Sequence, residues 1–380
     1  MKNNPITRIV QTALLSAFGS LFIAGCTEST SNNSSASSAP ASEPMQTQTA
    51  YATTTSTPSK SYFDESAPST TVRTTSVQPV APVYPSLPHY APEDAVRGRL
   101  RSIGSDTMDG IVADWEKDFK NYHPGIRVIH EGKGSSTAIP ALVEGRSDFG
   151  PMSRAVKPAE AEKFQQKFGY APTSMPVAID ALAVYVHPDN PIKDRGLSMS
   201  ELDAIFSSTR RRGYSQDIKT WGDLGLTGSW ANKPINVYSR NSASGTYGFF
   251  KDEVLKKGDF KSSNRELAGS EEVVRSVEND PYGIGYSGFG YKTPNVAVAP
   301  LSDGGSYVAA NQTNAVNGTY PLSRNLFLTF NHRPGSEPKT LHAEFIRYVY
   351  SDQGQDKVEK NGYFPVSSAT AKEQLASLGL

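Results

Sequence analysis

The chain has 380 residues and a single cysteine, and its 38 Lys plus Arg balance 38 Asp plus Glu, so the formal net charge at pH 7 is zero. That length accommodates two domains, and the charge balance argues against nucleic acid as the main partner. One cysteine excludes an intrachain disulfide and a cysteine metal cluster, and the six histidines show no His-x-x-x-His or His-Glu-x-x-His spacing, so neither a metal nor another cofactor is expected.

Residues 1–26 join a basic start, Lys2 and Arg8, to an apolar run too short and too interrupted for a comfortable membrane span. They read as a secretory signal. Its end, Leu-Phe-Ile-Ala-Gly-Cys, resembles a bacterial lipobox, which implies that Cys26 is lipidated and becomes the mature N-terminus. An ordinary signal peptide cut nearby is the alternative. Thr27, where an aspartate would favour inner-membrane retention, points by the same resemblance to the outer membrane of a Gram-negative cell. Residues 27–95 are dominated by Ser, Thr, Ala, Pro and Gln with almost no apolar periodicity, the composition of a disordered linker. A tether of that length spans on the order of 45 Å.

The folded body begins with a predicted strand at 99–103, which leads into Gly104-Ser105-Asp106-Thr107-Met108. Met108, Ile111, Val112, Trp115 and Phe119 then recur at helical spacing, with Ser105 as a candidate N-cap. A strand at 126–129 delivers Glu131-Gly132-Lys133-Gly134-Ser135-Ser136-Thr137, which does not satisfy a Walker A pattern, before a short helix. Ser147–Gly150 enters another junction, Pro151-Met152-Ser153-Arg154, and residues 158–168 form a helix with proline near its start. The apolar run at 176–187 is long enough for a strand crossing between lobes. A helix at 197–206 follows, and Arg210-Arg211-Arg212 reads as a solvated turn.

Residues 235–238 read as a strand and 247–255 as a helix, so Ser239-Arg240-Asn241-Ser242-Ala243-Ser244-Gly245-Thr246 lies at a strand-to-helix turn. A helix N-terminus exposes unpaired N–H groups and the positive end of its dipole. Gly245 permits close approach, Ser244 and Thr246 add hydroxyls, and Arg240 adds a forked cation suited to tetrahedral oxyanions. An anion cradle and a plainly capped helix both fit this segment. Gly283-Ile284-Gly285-Tyr286-Ser287-Gly288 satisfies G-x-G-x-x-G, but what precedes it looks like a helix end, so it reads as a buried strand and turn rather than a dinucleotide loop. Strands at 296–301 and 325–330 and helices at 340–350 and 353–360 complete the pattern. Alternating strands and helices imply an α/β fold with largely parallel sheets, its hydroxyl-rich junctions facing one crevice.

Several ordered motifs carry a family resemblance: GSDTM (104–108), GKGSSTAIPALVEG (132–145), DFGPMSR (148–154), AIDALAVYVHPDNP (178–191), TWGDLGL (220–226), SRNSASGT (239–246), GIGYSG (283–288), GTYPLSRNLF (318–327) and GQDKVEKNGYFPV (354–366). With these the chain resembles the phosphate-binding proteins of phosphate-specific ABC transporters, the PstS family. The resemblance implies a two-lobed type II periplasmic-binding-protein fold with two hinge-crossing strands, preceded by the tether. Lobe I would comprise residues 96–178 and 292–380, and lobe II residues 179–291. It implies inorganic phosphate held without metal, with ABC permease subunits and, through the lipid, a membrane of the bacterial cell envelope as partners. By motif, Ser105, Asp106, Thr107 and Met108 would form a first phosphate loop, Ser135 and Ser136 a second, Ser153 and Arg154 a third, and Arg240, Ser244, Gly245 and Thr246 the opposing wall.

One departure matters. Some members end the third loop in Ser-Asp, whose carboxylate accepts the proton of the phosphate dianion, and here the end is Ser153-Arg154. Asp106 and then Asp148 are the candidates for that acceptor. Two other functions compete with uptake: a surface-anchored phosphate-binding adhesion or sensor module, and a hydrolase using a Ser-rich loop. The second lacks a G-x-S-x-G elbow, and the chain is read as a non-enzyme.

Overall fold

The computed structural model describes residues 87–380. The signal segment, Cys26 and the linker up to residue 86 lie outside the described residues. The strands are β1 (Gly98–Gly104), β2 (Ile126–Gly132), β3 (Phe149–Met152), β4 (Thr173–Val186), β5 (Leu197–Ser198), β6 (Asn236–Arg240), β7 (Arg265–Leu267), β8 (Gly283–Gly288), β9 (Ala297–Val298), β10 (Leu301–Ser302) and β11 (Ser323–Phe330). The helices are α1 (Asp109–Tyr122), α2 (Ala138–Val143), α3 (Pro158–Phe168), α4 (Ile192–Arg195), α5 (Met199–Phe206), α6 (Gly245–Glu253), α7 (Ser270–Glu278), α8 (Gln312–Val316), α9 (Thr340–Val349), α10 (Asp352–Lys360) and α11 (Ser368–Ser377).

Among the described residues, a nine-stranded sheet runs β2-β1-β3-β11-β4-β8-β6-β7, with β9 also on β4. The outer strands of each half are parallel, as βαβ units require, and β8 is parallel to β6, but β11 is antiparallel to β3 and β4, and β4 is antiparallel to β11, β8 and β9. The sheet is therefore less parallel than the alternation of elements suggests, because two long strands run back through its middle.

Those two strands join two hydrophobic cores. Met175, Val177 and Ala178 of β4 pack in one core with Trp115 and Phe119 of α1, and Ala181, Leu182, Val184 and Val186 pack in the other with Trp221 and Phe250. Strand β11 does the same in reverse: Leu322 just before it lies in the second core, and Leu326, Leu328 and Phe330 lie in the first. The crossing point pairs Arg324 with Asp180 in register. The result is the two-lobed, hinge-crossed α/β architecture. Each fully buried Leu, Val or Phe contributes about 1.5–3 kcal/mol, so each lobe carries its own stabilising core.

Two expected boundaries move. The chain does not return to lobe I at 292: Val296, Ala299, Leu301, Ala315, Tyr320 and Leu322 all pack on lobe II cores, β9 pairs the second half of β4, and β10 pairs β5. The return comes with β11. The linker also stops short of 95. Tyr90 is buried, with its hydroxyl 2.6 Å from His123 Nε2 and donating to Glu344 Oε2 at 2.8 Å, and its N–H donates to Gln353 Oε1. The run Gly283–Gly288 is a strand buried throughout, as the sequence predicts.

Candidate anion-binding site

The hydroxyl-rich junctions meet at one seam between the lobes, and each is placed by the end of a strand. From lobe I, β1 leads into the Asp106–Met108 turn, β2 into the Ser135–Thr137 turn, and β3 into Ser153. From lobe II, β6 ends at Arg240 ahead of α6, and β7 ends shortly before α7. The lobes touch directly. Thr107 Oγ1 lies 2.9 Å from Thr246 Oγ1, and Ser136 donates its hydroxyl to Ala243 O at 2.8 Å.

Two glycines permit this approach. A Cβ on Gly245 would lie 2.2 Å from Ser135 Oγ and 2.6 Å from Ser153 Oγ, closer than a carbon can stand. Gly134 has φ of +98° and would place a Cβ 2.4 Å from Ala243 O, so both its backbone and its surroundings require glycine.

The hydroxyls share a polarity. Ser135 Oγ accepts the Ser153 N–H at 3.0 Å, and Ser244 Oγ accepts the N–H groups of Thr246 and Tyr247 at 3.1 and 3.4 Å. Thr246 Oγ1 accepts from Arg324 Nη2 at 3.0 Å, and a guanidinium cannot accept in return. Each of these oxygens has an acceptor position filled, which leaves its one proton to donate. Ser244 thus shows both readings of its segment to be compatible: it caps α6, and the capped helix presents the serine's proton in place of the Thr246 and Tyr247 N–H groups.

The charged groups are paired and buried. Arg240 is 1% exposed; it donates through Nη2 to Asp106 Oδ1 and Ala268 O and through Nη1 to Ser270 Oγ, each at 2.6 Å. Asp106 Oδ2 accepts both the N–H and the hydroxyl of Ser270, at 3.1 and 3.0 Å, so this lobe I carboxylate sits at the N-terminus of lobe II helix α7. Tyr291 donates to Asp106 O and Tyr363 to Thr107 O, which fixes the backbone of the first loop. Burial, with the nearby acids, pushes the Tyr291 phenol upward, so it remains a neutral donor. Two buried polar atoms here have no hydrogen-bond partner within the protein: Arg240 Nε and Ser105 Oγ. A buried donor without a partner costs about 1–3 kcal/mol, a cost that an anion ligand would remove.

Four sequence-predicted residues have other duties. Arg154 is a poor candidate: it is held by Glu160 through Nη1 and Nη2 at 2.8 and 2.6 Å, at the start of α3. Met108 buries its side chain in the lobe I core, and its N–H donates to Ser105 O within the turn. Ser136 ties the two lobes, and Asp148 is locked to Arg101 by Nε and Nη2 at 3.0 and 2.9 Å. Ser105, Asp106, Thr107, Ser135, Ser153, Arg240, Ser244, Gly245 and Thr246 do come together. Sequence reading missed Ser270, Asp180 and Arg324, although Asp180 and Arg324 lie within quoted motifs. Among the described residues no group of His, Cys, Asp and Glu is arranged to hold a metal ion, and no helix is long and apolar enough to cross a membrane.

Residues 89–353 match the family model described as a PBP superfamily domain. The chain is 49% identical over 303 residues to the phosphate-binding protein PstS of Pseudomonas aeruginosa, covering 79% of this chain and 93% of that one. It is 30% identical to the phosphate-binding protein PstS of Staphylococcus epidermidis over 74% of this chain and 83% of the relative. Among solved structures, an ABC-type phosphate transport receptor from Vibrio cholerae superposes with a TM-score of 0.55 at 20% identity, over 70% of this chain and 100% of the other.

Proposed function

The chain belongs to the PstS phosphate-binding proteins of the PBP superfamily, and from that membership we propose how its seam holds phosphate for an ABC transporter. It is a substrate-binding protein of a transport system and not an enzyme. The observation that carries the site assignment is the concentration of donors at the seam: hydroxyls that already accept one hydrogen bond and keep a proton to give stand beside Arg240, with Arg240 Nε and Ser105 Oγ buried and unpartnered. A tetrahedral dianion offers acceptors in every direction and matches that array.

In this assignment Arg240 supplies its Nε–H and part of its charge. Ser105, Thr107, Ser135, Ser244 and Thr246 donate hydroxyl protons, and Gly245 lets the α6 N-terminus approach. Ser153 supports Ser135 through its N–H. Asp106 is the acid paired with Arg240 in this array. It draws α7 and Arg240 onto the first loop, and it is the candidate acceptor for the phosphate proton.

Titration calorimetry with inorganic phosphate and sulfate tests the reading. Tight phosphate binding and weak sulfate binding are expected, and Arg240→Ala should weaken phosphate binding roughly 100-fold or more, as expected for loss of a desolvated charge-assisted contact. No heat with phosphate overturns the assignment, and an unchanged affinity in Arg240→Ala removes that arginine from the site. For location, the lipobox-like sequence before Cys26 supports a lipid anchor in the cell envelope. Incorporation of labelled palmitate that persists in Cys26→Ser would rule that anchor out.

A further inference from the structure

Phosphate capture as described gives no part to Arg324, a buried cation on the strands that cross between the lobes. Arg324 opens β11 directly opposite Asp180 of β4, on the pair of strands that cross between the lobes. Its side chain is 2% exposed. Nε and Nη2 donate to Asp180 Oδ2 at 2.9 and 2.7 Å, Nη1 donates to Ser153 O at 3.0 Å, and Nη2 also donates to Thr246 Oγ1 at 3.0 Å. Its guanidinium lies over the Phe249 ring, 5.4 Å from the centroid. One side chain on a hinge strand therefore holds the third loop of lobe I and the first turn of α6 in lobe II at the same time.

We propose that Arg324 is a positioning residue for phosphate, acting through Thr246. A guanidinium only donates, so Thr246 Oγ1 is fixed as its acceptor and must point its single proton away from the hinge. The atom on that side is Thr107 Oγ1, 2.9 Å away across the seam. The arginine thus sets the polarity of the lobe II hydroxyl and couples it to lobe I through Ser153 O. Asp180 balances the charge, and its Oδ1 accepts the Phe289 N–H, so the fork is oriented before any ligand arrives. Lysine cannot substitute: a single ammonium on a flexible stem cannot hold Asp180, Ser153 and Thr246 in one plane.

This inference rests on the phosphate reading, and the experiment separates the two. Phosphate Kd and ligand-free melting are measured on the full chain for the wild type, Arg324→Lys, Thr246→Val, Thr246→Ser and the two double variants. Arg324→Lys is expected to weaken phosphate binding roughly 10-fold in the wild-type and Thr246→Ser backgrounds and to have no further effect in Thr246→Val, the signature of one shared interaction. Losses that multiply in Arg324→Lys/Thr246→Val, or a lysine variant that binds like the wild type, overturn the proposal. If the lysine variant does not fold, Phe249→Leu disturbs the same guanidinium more gently. It should give a loss of a few-fold that disappears in Thr246→Val, and a loss that persists there overturns the proposal. A wild-type protein that does not bind phosphate refutes the phosphate reading itself, whatever the variants do.

Discussion

The seam and the hinge each contain a buried arginine–aspartate pair, Arg240 with Asp106 and Arg324 with Asp180. The contacts are nearly alike, at 2.6 and 2.7 Å, and both arginine side chains are almost fully buried. Their placement differs. Arg240 and Asp106 come from different lobes, so opening the hinge separates them and returns each to water. Arg324 and Asp180 are neighbours in the register of two crossing strands, so opening leaves them paired. The same chemistry therefore serves closure in one place and the integrity of the fold in the other.

Breaking the hinge pair should have the largest effect on stability. Asp180→Ala strands a guanidinium in a site where its partner is 0% exposed, and it removes the acceptor of the Phe289 N–H. Losing one partner of such a pair costs about 3–5 kcal/mol, which chemical unfolding of the ligand-free protein measures directly. A loss near zero would show that water reaches the hinge.

Breaking the seam pair should divide the effect differently. In Asp106→Ala the ligand-free protein can open and hydrate Arg240, so its stability should change by less than about 1 kcal/mol. Phosphate release should instead accelerate, roughly 10-fold, because truncating one side of a buried charged contact acts mainly on dissociation. Stopped-flow release of phosphate reads this. An unchanged release rate would mean that the lobes close without the Asp106 contact to α7.

How much of this was legible follows from the range of each interaction. The junctions at Gly104, Gly134 and Ser244 are local: a strand, a glycine or serine and an apolar helical period lie within a dozen residues, and the sequence displays all three. Arg240 stands at the same kind of junction, at the end of β6. Arg324 and Asp180 are 144 residues apart, and only the pairing of β4 with β11 brings them together. In the sequence Asp180 is a polar residue inside the apolar run at 176–187, and Arg324 stands just before the strand predicted at 325–330. Arg154 shows the opposite case. It occupies a motif position, but Glu160, six residues on at the start of α3, captures its guanidinium. The late return of the chain was hidden because the short strands of residues 292–322 carry little periodicity, and their lobe assignment depends on pairing with β4 and β5.

A third buried acid shows what the pairing achieves. Glu116 on α1 is 1% exposed and has no arginine; its nearest cation is His130, with Nδ1 at 3.9 Å from Oε2. Burial raises its carboxyl from the ordinary 4.5 to about 7, against the opposing pull of Ser102 and His130. Between those values the folded protein holds a proton that the unfolded chain releases. The contribution is therefore complete below about pH 4.5 and is lost as the pH rises through about 7. Glu116→Gln, which mimics the protonated form, should match the wild type near pH 4.5 and exceed it in stability above pH 7, by at most about 3 kcal/mol. His342 has the opposite slope. Burial against Phe149 and Phe330 lowers its imidazole from 6.5 to about 4, so its own contribution is lost as the pH falls through that window. The comparison is therefore the difference between variant and wild-type unfolding curves at each pH, in which the His342 contribution cancels. Parallel curves from pH 4.5 to 8 would mean that Glu116 stays ionised in the core and that His130, at 3.9 Å, serves as well as an arginine.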